Sequence, residues 1–147
     1  LHEVMSGKAS TTGQREGAER FFRDGVRELQ NKNYRRAIIS FETAVTVDPS
    51  HNMAKFYLKT AYMEFFREIR ELFRAGVQSD RALRLVDARM NYEAVMASLP
   101  NILGYLERSK NDGTDTSQKK IWDEAKEIEK QTKEGLKRID EREGRKG

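Results

Sequence analysis

The sequence predicts an all-α protein: an array of about five or six helices that ends in a long amphipathic helix. Three observations carry this. Apolar residues recur at intervals of three and four over most of the chain, the spacing that keeps one face of a helix buried. Only two prolines interrupt the 147 residues. The composition, 37% hydrophobic and 35% charged, is lean for a sphere but suits a thin array in which each helix touches only its neighbours.

Residues 1–13, rich in Ser, Thr and Gly, read as a flexible linker, and the opening Leu1 points to a region upstream. Thr11 and Gln14 have the spacing of a capping box, so a first helix is expected from Gly13 to Asn31. Its buried face is Ala18, Phe21, Phe22, Gly25, Val26 and Leu29. After a polar turn at Asn31–Asn33, a second helix runs from Tyr34 to Val47 with Ala37, Ile38, Phe41, Ala44 and Val45 inward. Pro49 closes it, because proline lacks an amide hydrogen and disfavours helical geometry in the residue before it. Ser50 offers the next cap.

A long third helix, the most aromatic segment, is expected from Met53 to a stop at Gly76. A fourth starts at the cap Asp80 and runs toward Ala97. Pro100 then ends, kinks or restarts it, and Ser98 caps a short helix through Ile102, Leu103, Tyr105 and Leu106. The Asp112-Gly113 pair marks 111–116 as a linker after a domain at 14–110. Asp115 with Gln118 starts a last helix over 117–142, and 143–147 frays. Ile121, Ala125, Ile128, Thr132, Gly135 and Ile139 form its seam at heptad spacing, with Trp122 and Leu136 on the flank. The seam is thin, so this helix reads as a cap on the domain or a coiled-coil-like contact with a second copy.

The chemistry of catalysis is poorly represented. There is no cysteine and there are two histidines, His2 and His51. No His-Glu-x-x-His pair, nucleophile elbow or complete phosphate loop is present. A non-enzymatic protein with no metal and no cofactor is expected. The net charge of +4 rests on 28 basic and 24 acidic residues. The stripes Arg20, Arg23, Arg27 and Arg67, Arg70, Arg74 have Glu16, Glu19, Glu64 and Glu71 within reach, which argues for a solvated face and against nucleic acid. No apolar run reaches the roughly 20 residues of a membrane span, and a soluble, cytoplasmic protein is expected.

The stretch 18–49 resembles a tetratricopeptide repeat. Phe21 stands for its aromatic, Gly25 for its small residue, Ala37 and Phe41 for the pair four apart, Ala44 for a second small contact and Pro49 for the closure. Asp24 and Glu28 depart from the pattern, as in a terminal unit. One repeat length onward lie Lys59 and Leu83, which do not fit, so a single repeat is expected. The resemblance implies a right-handed helical array that binds peptides on its inner face. By that geometry Phe22, Val26 and Leu29, with Phe56, Thr60 and Met63, line an apolar groove. The expected function is a protein-protein interaction or scaffold module with a protein or peptide partner. The alternative is a dimerisation module whose groove is filled by its own C-terminal helix.

Overall fold

The computed structural model describes residues 9–109 and 116–144. Among them are five helices and no strand: α1 (Thr12–Gln30), α2 (Tyr34–Val47), α3 (Asn52–Arg81), α4 (Leu85–Ser109) and α5 (Thr116–Arg142). The all-α class follows as the periodicity predicts. The chain divides into two units, Leu1–Phe65 and Phe66–Gly147, so α3 contributes its first half to unit 1 and its second half to unit 2.

In unit 1 the capping box forms. The Gln14 amide donates to Thr11 Oγ1 at 3.0 Å and the Thr11 amide to Gln14 Oε1 at 2.7 Å. Of the stretch read as a linker, residues 1–8 lie outside the described residues, Ser10 is hydrogen-bonded to Asp48, and the helix begins at Thr12. The α1–α2 contact is close because Gly25 has no side chain: a Cβ there would lie 2.5 Å from Phe41 Cε1. Ala18, Ala37, Phe41 and Ala44 are fully buried around it.

Asp48 decides how α2 ends. Its Oδ1 accepts the Ser50 amide at 3.0 Å, the Ser50 hydroxyl at 2.6 Å and the Ser10 hydroxyl. These donors trap the turn that Pro49 favours. The Ser10 hydroxyl first, and then that of Ser50, hold the Asp48 carboxyl below its usual range, against the opposing effect of burial. Ser50 is thereby spent, and the cap of α3 is His51 instead, whose Nδ1 accepts the Ala54 amide at 3.1 Å.

The α1–α2 pair recurs fifty-one residues later in unit 2. Phe22, Arg23, Gly25, Val26, Ala37, Glu42 and Pro49 return as Phe73, Arg74, Gly76, Val77, Ala88, Glu93 and Pro100, and Tyr92 stands for Phe41. The turn recurs as well. The Asn33 amide bonds to the Glu28 carbonyl and Lys32 to Leu29, as Arg84 does to Ser79 and Leu83 to Asp80. Lys32 and Leu83 both take the left-handed conformation that this helix ending requires, with φ of 63° and 60°. A Cβ on Gly76 would lie 2.8 Å from the Tyr92 ring, repeating the Gly25–Phe41 relation. A second helix pair of the same pattern thus stands in unit 2, at a period longer than the 34 residues of a regular repeat, so a step of 34 residues finds no second unit.

Three boundaries differ from the sequence reading. Gly76 does not stop α3, because it is the notch for Tyr92 inside the helix, and Asp80 belongs to the last turn of α3 instead of capping α4. Pro100 lies within α4, which neither breaks nor restarts at Ser98. Where unit 1 has Asp48 before its proline, unit 2 has Leu99, which cannot accept the bonds that trap a turn. Burial of Leu99, Ile102 and Leu106 offsets the amide that Pro100 lacks. The expected cap Asp115 lies outside the described residues.

Candidate interaction surface

Phe22, Tyr57 and Phe56 are brought together in unit 1. The half-buried Phe22 ring lies 5.8 Å from Phe41, 4.9 Å from His51 and 5.2 Å from Tyr57. Tyr57 also meets Phe41 and Phe56, each at 5.8 Å. Phe22 is thus part of an aromatic floor and not a free wall. Above it Phe56 is 63% and Met53 52% exposed. Covering a side chain of this size is worth roughly 1.5–3 kcal/mol.

Val26 and Leu29 follow one and two turns along α1, and Thr60 and Met63 along α3; all four are half-buried. The Thr60 hydroxyl donates to the Phe56 carbonyl at 3.2 Å and is satisfied within its own helix. Met53 is missing from the sequence-derived groove, which treats it as one more periodic position of the third helix. The signal was present: Met53, Phe56, Thr60 and Met63 form a stripe at spacing 3, 4, 3, separate from the buried stripe of Ala54, Ala61 and Phe65.

His51 sits at the edge of this floor with its side chain 13% exposed. Because Nδ1 accepts the Ala54 amide, Nε2 carries the proton and donates to Glu19 Oε1 at 3.0 Å. The ring is a structural link between α1 and the start of α3. It does not stand free to act as a base.

In unit 2 the matching face differs by one polar residue, Asp80 in place of Leu29. Val77 and Asp80, which match Val26 and Leu29, line a cleft of about 340 Å³ with Arg81, Tyr92, Glu127, Lys130, Glu134 and Arg138. The Tyr92 hydroxyl and Arg138 Nη2 both donate to Asp80 Oδ2, each at 3.1 Å. In α5, Ala125, Ile128, Thr132 and Ile139 are buried, Leu136 packs on the cluster of Ala88, Tyr92 and Ile139, and Ile121 and Trp122 are half-buried. Arg89 pins the end of this helix by donating to Asp140 at 2.6 Å and Glu143 at 2.8 Å.

The arginine stripes are largely neutralised. Arg23 pairs with Glu19, Arg27 with Asp24 and Arg74 with Glu71, while Arg70 reaches Glu124 at 2.6 Å and stacks on Phe66. Among the described residues no cluster of His, Asp and Glu could hold a metal ion, and no helix is long and apolar enough to cross a membrane. Comparison with protein families, with curated proteins and with solved structures finds no match.

Proposed function

We propose that unit 1 is a non-catalytic, tetratricopeptide-like interaction module that binds an apolar peptide or helix along α1 and the first half of α3. The observation that carries this reading is the pair Met53 and Phe56, exposed above an aromatic floor that is already closed by Phe22, Tyr57 and Phe41. The floor fixes the geometry, and the exposed pair leaves apolar surface for a partner to cover. The alternative, a dimer joined through α5, has less to rest on, since Gly135, Leu136 and Ile139 are used in contacts with α4 in unit 2.

The test is selection of peptides from a random library on the whole chain, followed by titration. Met53→Glu with Phe56→Glu should abolish binding without lowering the melting temperature, while Lys130→Glu in unit 2 should leave it intact. Binding that survives the double substitution would remove the reading.

A further inference from the structure

His51 has both ring nitrogens engaged in opposite senses. Nε2–H donates to Glu19 on α1, and Nδ1 accepts the Ala54 amide in the first turn of α3. A ring that takes up a second proton keeps the first bond and loses the second, because Nδ1 becomes a donor. The charged groups around it are Glu19, which also pairs with Arg23; Asp48, three residues before it in the turn; and Lys55, one turn further along α3. The two carboxylates accommodate a charged ring, whereas a cation at the positive end of a helix is unfavourable. Acid therefore acts on the cap and not on the link to α1.

We infer that His51 makes the start of α3 acid-sensitive, because protonation of the ring removes the acceptor that caps the helix at Ala54. Met53 and Phe56 lie in the first two turns of that helix. The inference goes beyond the binding proposal and holds whether or not the groove takes a partner.

Amide exchange of the whole chain, followed by NMR from about pH 8 to about pH 5 and corrected for intrinsic rates, tests it. Protection of Ala54 should fall about fivefold, the worth of an N-cap, while Gln14, capped by the hydroxyl of Thr11, stays level. His51→Asn keeps a capping oxygen that does not titrate, and its Ala54 protection should not change with pH. A level Ala54 in the wild-type protein, or an equal fall in His51→Asn, would overturn the inference.

Discussion

The ring of Tyr92 occupies the space that any side chain at Gly135 would need: a Cβ there would lie 2.5 Å from Cε2 and 2.8 Å from Cζ. Phe41 stands in the same relation to Gly25. Alanine in a helix is worth about 0.5–1 kcal/mol over glycine, but forcing a methyl group into a packed ring costs about 1–3 kcal/mol. The steric cost wins at these sites.

Gly25→Ala and Gly135→Ala should therefore lower the melting temperature. Gly17→Ala should raise it, since a Cβ there meets only Val47 Cγ1 at 3.8 Å. Opposite signs for one substitution at two positions of α1 would be read by thermal denaturation.

Thr132 is fully buried, and its hydroxyl has no hydrogen-bond partner. Valine has the same shape without the unsatisfied group, and the two have similar helix propensity. Thr132→Val should stabilise the protein by about 1 kcal/mol in a urea titration.

Leu83 holds a left-handed backbone that glycine adopts freely, while the residue is 59% exposed and little packing would be lost. Leu83→Gly should gain about 1 kcal/mol. Lys32→Gly in the matching turn should gain a similar amount, although neither substitution touches a core contact.

Burial first, and then the bond to Asp80, push the Tyr92 phenol up to about 12. Its neutral form is the one the fold favours, so this contribution is complete below about pH 10, where an unfolded tyrosine titrates. It is lost as the pH rises from there through the folded value. Ultraviolet titration should show one of the five tyrosines ionising late, and Tyr92→Phe should remove that step.

The first helix pair was legible because its determinants are local: Gly25, Ala37, Phe41 and Pro49 lie within one repeat length and each has a single steric meaning. The second pair was hidden by length. Its period of fifty-one residues is about seventeen more than a regular repeat, so a step of the usual size lands on Lys59 and Leu83 and misses Gly76 and Pro100. Gly76 also reads as a stop until the position of Tyr92 is known. Likewise the preference of His51 over Ser50 as the cap depends on Asp48 having taken Ser50 first, a competition between side chains that spacing does not reveal. In the candidate groove the floor residue Phe22 and the exposed Phe56 were both found from the sequence, but which is covered and which is open depends on Tyr57.

The notch at Gly135 also sets the register of α5. One turn to either side the same face carries Thr132 and Ile139, each of which has the Cβ that Gly135 lacks. A slide of α5 along α4 by one turn would drive that ring into a methyl-bearing position. The two helices therefore have one axial setting in which they can dock. Leucine-rich seams tolerate slippage, whereas a single missing Cβ specifies the alignment of a helix whose own seam is too thin to do so.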